Sequence, residues 1–309
     1  MGTALLGMVA FSACNVNDEI EDNNQPQAVS FSAGIAGQAV QNGGPTTKAA
    51  GTVWASGDAI GIFMMSNGTT TIAEQAENKQ YTTTGGSTFS AVAGDEIYYP
   101  MDGSKVDFIA YYPYASGKTL GSSISVDVSG AQTASSQADI DLLWAKANGT
   151  GGSGYDKVTH ATTPVALAFN HKLAKMVINV KAGAAVNTPL TGMTVTIKGM
   201  NTKNTFKLSD GTLGTPNTPA AITPRVITTA SGFNASYDAI ILPYVYSSNG
   251  DVTVDFTVGG ETFTWEVDAT TFAPGNEYTY AVTLTRTGVA VTGTINPWMP
   301  NDRGGVTAE

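Results

Sequence analysis

Period-two alternation of apolar and polar side chains restricts this chain more than any other feature. It is clearest in DVTVDFTVGGETFTWEV, residues 251–267. Val252, Val254, Phe256 and Val258 fall on one side of an extended backbone, and Thr253, Asp255 and Thr257 on the other, because successive strand side chains alternate faces. Gly259 and Gly260 can take the positive φ of a tight hairpin turn, after which Phe263, Trp265 and Val267 resume the alternation. NEYTYAVTLTR repeats the pattern with Tyr278, Tyr280, Val282 and Leu284, and LAKMVINVKAG with Ala174, Met176, Ile178 and Val180. Each such strand buries one face and wets the other, as in a two-sheet sandwich. No segment longer than a few turns carries helical periodicity.

The first half holds further strand candidates, IGIFMMS (60–66), STFSAV (87–92), VDFIAYYPY (106–114) and ISVDV (124–128), separated by Gly, Asp and Ser clusters. ADIDLLWAKA (138–147) reads as a helical turn or a capping segment, and NGTGGSGYD (148–156) as a flexible loop. A new strand set begins at TTPVALAF. At 309 residues, two domains are the ordinary expectation. The predicted organisation is all-β with little helix, in two domains, 28–162 and 163–309.

Charged residues make up 13% of the chain, against roughly 25% in an average soluble protein. Hydroxyls and amides must therefore carry its solubility, as is common in extracellular β-proteins. The net charge of −10 repels phosphate backbones, so nucleic acid is not an expected partner. One cysteine permits no internal disulfide.

Catalytic patterns are missing. The two histidines, His160 and His171, stand outside any HEXXH or CXXC arrangement, and a zinc site needs three or four ligands at defined spacing. His171 reads as a strand cap or backbone-bonded side chain at a domain junction, and His160 as part of a linker. Neither a GxSxG elbow nor a GxxxxGK[ST] loop occurs. Asp95 with Glu96, and Asp139 with Asp141, read as solvated turns rather than paired catalytic carboxylates. DEIEDNN lacks the glycine and ligand spacing of an EF-hand loop. No catalytic residue, metal or cofactor is expected, and the chain is read as a non-enzyme. Tyr111-Tyr112-Pro113-Tyr114 is the best sugar-platform candidate. Alternation from Phe108 would bury Tyr112 and Tyr114 and leave Tyr111 on the other face, so a strand end with a buried aromatic row is the competing reading.

At the amino terminus TALLGMVAFSA (3–13) is a short apolar run ending in small residues just before Cys14. It is too short to span a bilayer and fits the h-region of a secretory signal. FSAC resembles the lipobox of bacterial lipoproteins, which implies a signal peptide over 1–14 and a lipid on Cys14. The acidic, amide-rich stretch 15–27 reads as a disordered tether.

Six stretches in order resemble the fimbrillin family, pilins of Bacteroidales surface fimbriae. They are WASGDAIGIFM (54–64), YYPMDGSKVDFIAYYPY (98–114), DIDLLWA (139–145), FNHKLAKMVINV (169–180), FAPGNEYTYAVTL (272–284) and GTINPW (293–298). The resemblance implies two successive β-sandwich domains of transthyretin-like, Greek-key type. It also implies an outer-membrane lipoprotein precursor, a trypsin-like protease that removes an amino-terminal segment, and assembly on the cell surface by strand donation between copies or with other fimbrial subunits.

Residues are available for each role. AVSFSAGIA (28–36) places Val29, Phe31, Ala33 and Ile35 on one face and could close the first sandwich as an edge strand. Lys48 is the only charged residue between Asp22 and Asp58, which makes it the candidate cut site. GVAVTGTINPW (288–298) alternates Val289, Val291, Gly293 and Ile295, nearly the pattern of the strand to be lost, before Pro297 and Pro300 stop it. It is the candidate donor. A reading from another class is a monomeric surface lipoprotein that binds glycans through exposed aromatics.

Overall fold

The alternation is realised as strands almost throughout. The structure is a computed structural model that describes residues 25–36, 53–184, 186, 189–286 and 288–298. In chain order the first elements are β1 (Phe31–Ile35), β2 (Ala59–Ser66), β3 (Lys79–Thr82), β4 (Thr88–Ala91), β5 (Val106–Tyr112), β6 (Ser123–Asp127), β7 (Gly130–Ala131), α1 (Ala134–Ile140), β8 (Leu143–Ala147) and β9 (Val165–His171). Then come β10 (Ala174–Ala182), β11 (Thr194–Lys198), β12 (Asn201–Lys207), β13 (Asn217–Pro219), β14 (Ile222–Thr223), β15 (Arg225–Ile227) and β16 (Ala235–Ile241). The last are β17 (Tyr244–Tyr246), β18 (Thr253–Val258), β19 (Glu261–Glu266), β20 (Thr270–Phe272), β21 (Asn276–Thr285) and β22 (Gly288–Pro297). The fold is all-β with one short α-helix among the described residues.

Seven of these strands close into a barrel, in the order β1-β4-β3-β2-β5-β8-β9. An open two-sheet sandwich was the expectation here. Closure follows from β1, which pairs antiparallel with β4 on one side and parallel with β9 on the other, so neither neighbour is left with a free edge. The reading of β1 as an edge strand is corrected for the same reason: both of its edges are paired. Phe31, Ile60, Met64, Tyr81, Phe108 and Phe169 fill the interior with their neighbours in one buried cluster.

Two five-stranded sheets, β15-β16-β10-β21-β22 and β19-β18-β11-β14-β7, contribute to a second and larger core. Met176, Ile178, Tyr237 and Val282 of the first meet Val195, Ile197, Phe256 and Trp265 of the second in that cluster. The β18–β19 hairpin forms as the sequence predicts, with Val258 opposite Glu261 and Gly259 and Gly260 at φ 60° and 82°. β6 pairs with β12, and β7 with β14, so residues 123–131 belong to sheets built mainly from the second half of the chain.

Two strands depart from simple alternation. β5 is buried along its whole length, and β2 over Ile60–Met65. One face of each lines the barrel, while Phe63, Met65, Ile109 and Tyr111 on the other face join the larger core. Tyr111, expected on the opposite face from a buried row, is thus as buried as Tyr112, and its hydroxyl donates to Asn78 Oδ1 at 2.7 Å. Gly61 makes room for this, since a Cβ there would lie 2.3 Å from the Tyr111 ring. The 138–147 stretch divides into the end of α1 and β8. Thr133 caps α1: its hydroxyl accepts from Ser136 N, and its own N–H donates to the Ser136 hydroxyl. Behind the helix Asp238, nearly fully buried, receives two bonds from Arg225 and one from Gln137.

Candidate functional site

Two strands matter for assembly, and their surroundings differ sharply. Val29, just before β1, and Phe31, Ala33 and Ile35 within it all point inward and are at most 5% exposed. Phe31 packs edge-on against Tyr81 and Phe108, each at 5.1 Å between ring centroids. The backbone is laddered on both sides. On the β4 side Val29 N donates to Ile97 O and Ala33 N to Ser87 O, both at 2.8 Å. On the β9 side Val165 N donates to Ser30 O, and Ala36 N to Phe169 O. β4 runs no further along β1 at this point, and the Ala33 carbonyl accepts instead from Trp54 Nε1 at 2.9 Å. Trp54 itself is 2% exposed, held edge-on by Phe89, Tyr112 and Phe169 at 5.1–5.4 Å.

Among the described residues β22 has one hydrogen-bonded neighbour, β21, paired from Thr285–Gly288 to Asn276–Pro297. It lies at the edge of its sheet. Val289 and Val291 are half-buried against the larger core, Gly293 is exposed beside the Tyr280 ring, and Ile295 is 62% exposed. What fixes its far end is Trp298. That indole is 3% exposed and stacks on His171 at 3.8 Å between centroids, 8° from parallel. Its backbone N–H donates to Gly275 O. His171 Nδ1 in turn lies 2.9 Å from Asp141 Oδ1, with both side chains almost wholly buried. His171 is therefore neither a strand cap nor bonded to backbone through its ring; it packs between a carboxylate and an indole. A cavity of about 590 Å³ opens at this point, lined by Ala36, His171, Lys172, Pro274, Pro297 and Trp298. The ends of β1 and β22 thus face one cleft.

The other candidates fall apart in space. Asp141 is buried while Asp139 is exposed, so they do not face each other across a cleft, and Asp141 is no solvated turn. Asp95 receives Gln80 N, and Glu96 receives Gly94 N, in turns. His160 is bonded to Thr159 and edge-on to Tyr155. Cys14 and Lys48 lie outside the described residues, as do the 1–14 signal and residues 15–24 of the tether.

A profile of the fimbrillin-like family matches residues 47–298, which span β2 to β22. The chain belongs to the fimbrillin-like family. A Bacteroides uniformis relative named "Putative fimbrium subunit Fim1C" is 34% identical over 317 residues, covering 98% of this chain and 96% of its own. The crystal structure of a "putative cell adhesion protein" from the same species superposes with a TM-score of 0.67 at 31% identity, over 88% of this chain and 98% of that one. Another so described, from Bacteroides ovatus, gives 0.68 at 25% identity, over 90% and 100%.

Among the residues that reading the fimbrillin-like sequence passed over, Trp54 and Trp298 are the most informative. Each lies in a stretch, WASGD or GTINPW, that carries the resemblance. Their contacts, with β1 and with His171, join segments far apart along the chain. Burial also raises the phenols around these strands. Tyr81, beneath Phe31, is pushed up to about 12 by desolvation, partly offset by the N–H of Ile97. Tyr280, beneath Gly293, is pushed up to about 12, again chiefly by desolvation.

Proposed function

We propose that this chain is a structural subunit of a cell-surface fimbrium that assembles by strand exchange and contributes to adhesion. In this reading a precursor with a signal over 1–14 is lipidated on Cys14, held at the outer membrane by the tether 15–27, and cut after Lys48 by a trypsin-like protease. β1 then leaves, and the 288–298 segment of another copy, or of another fimbrial subunit, takes its place. Two β-sandwich-type units, 28–162 and 163–309, form the body of the subunit, and β1 joins them by pairing with β9 of the second.

The observation that carries this reading is the contrast between β1 and β22. β1 is five residues long, followed by the segment that includes Lys48, and its inward residues fill a closed interior. Losing it uncovers Val29, Phe31 and Ile35, at about 1.5–3 kcal/mol for each large apolar side chain. It also orphans ladder groups of β4 and β9. Such a slot binds an extended strand of matching period by β-augmentation. β22 supplies that period and, among the described residues, is held by one neighbour only. The alternative, a monomeric glycan binder, loses its best platform, since Tyr111 and Tyr112 are buried.

Trypsin treatment of the purified chain followed by incubation tests the proposal. Ladders of SDS-resistant multimers are expected, with amino-terminal sequencing of each rung giving Ala49. A chain that stays monomeric after the cut, with β1 released, would overturn it.

A further inference from the structure

We propose that Trp54 sets the register of whatever strand lies between β4 and β9, and that the strand it reads in the assembled protein is the 289–295 segment of a second copy of this chain, seated with Gly293 where Ala33 now lies. This rests on the strand-exchange reading above and adds to it a register and a residue that selects it.

The geometry starts from a missing rung. On the β4 side, Ala33 N bonds Ser87 O, but among the described residues the Ala33 carbonyl has only the Trp54 indole as its donor. An indole has one N–H and no acceptor. Trp54 is 2% exposed and wedged by three aromatic rings, so a strand that offers no carbonyl there leaves a buried donor unpaired, which disfavours that strand. A slip of one residue turns every carbonyl and side chain to the opposite side. A slip of two restores a carbonyl, and side-chain size must then decide.

The four inward places of the slot hold Val, Phe, Ala and Ile. Only the third, whose carbonyl meets the indole, is small. Residues 289, 291, 293 and 295 are Val, Val, Gly and Ile, again with the small residue third. A slip of two would drive Val291 or Ile295 against the indole, an overpacking, and leave glycine in a large place, a cavity. The second place is the one mismatch in bulk, valine for phenylalanine, and every two-residue slip adds a mismatch at the third. Trp54 follows Lys48 in the sequence, so a cut there leaves the indole with the barrel.

Ser32 lies opposite Thr88 across β1 and β4, and the proposed register puts Thr292 in the place of Ser32. Thr88 and Thr292 are both exposed. The test uses the full chain carrying Cys14→Ser, Thr88→Cys and Thr292→Cys, with parallel chains carrying Ala290→Cys or Thr294→Cys in place of the last. Each is cut with trypsin, incubated and oxidised, then run on a non-reducing gel. Disulfide-linked multimers should be at least tenfold more abundant with position 292 than with 290 or 294. Trp54→Phe, which keeps a ring and loses the N–H, should spread cross-linking over the three positions while the uncut chain still melts cooperatively. Gly293→Leu should abolish the 292 cross-link.

Multimers that form without preference for 292, or with a preference that Trp54→Phe leaves unchanged, overturn the register inference and leave strand exchange standing. Failure of the cysteine-free cut chain to form any multimer overturns both.

Discussion

At the scale of single residues, aromatic groups define this protein. Phe31, Trp54, Tyr81, Phe89, Phe108, Tyr112 and Phe169 interlock in the barrel, and several phenols there are shut away from water. A tyrosine in the unfolded chain ionises near 10. Desolvation pushes Tyr81, Tyr111 and Tyr280 up to about 12 in the folded protein, and Tyr112 higher still, with the Asp58 carboxylate adding to burial. The sign is fixed: the folded state keeps these protons over an interval in which the unfolded chain gives them up. Their contribution is therefore fully present below about pH 10 and is lost as pH rises through about 12. Unfolding monitored by circular dichroism should fall in that interval and coincide with the growth of tyrosinate absorbance. Tyrosinate that appeared near pH 10 with the fold intact would show these phenols to be accessible.

At the scale of elements, the contrast between β1 and β22 has a measurable consequence. β22 has a single laddered neighbour, mostly exposed side chains, and one buried anchor, Trp298 on His171. Local opening of such an element is governed by the few contacts it must break. Removing a buried Trp side chain typically costs about 3–5 kcal/mol, and each 1.4 kcal/mol is about a tenfold change in an opening equilibrium. In Trp298→Ala the amide hydrogens within 288–296 that bond β21 should exchange at least tenfold faster, while those of β10 and β16, in the middle of the same sheet, stay as protected as before. Uniform acceleration across the sheet would mean that Trp298 holds the whole fold and is no anchor for β22 alone.

At the scale of the whole molecule, the barrel and the later sheets share side chains. Phe63, Met65, Ile109 and Tyr111 belong to barrel strands yet lie in the core that includes Met176, Ile197 and Phe206. Thermal unfolding should consequently be one transition, with calorimetric and van't Hoff enthalpies in agreement; two resolved transitions would show the shared side chains to be a weak coupling. The alternation of single strands is a local property, and the 251–267 hairpin, β10, β21 and the inward face of β1 could be read from their residues, along with the family resemblance. β16 was not legible as a buried strand, because Ser236 and Asp238 alternate with Tyr237 and Ala239 like a wetted face, yet both are buried and paired, with Asn179 and Arg225. The two-faced burial of β2 and β5 and the Asp141–His171–Trp298 stack were also illegible, because each depends on what arrives from elsewhere in the chain. By itself, then, the sequence determined the all-β character, the period and facing of most strands, and the likeness of 289–295 to 29–35, since side-chain direction in an extended chain needs only nearest neighbours. Tertiary structure alone decided that β1 closes a barrel beside β9, that Trp54 completes its ladder, and that β22 lies at an open edge, since hydrogen-bond partners between distant segments are chosen by the packing of the whole.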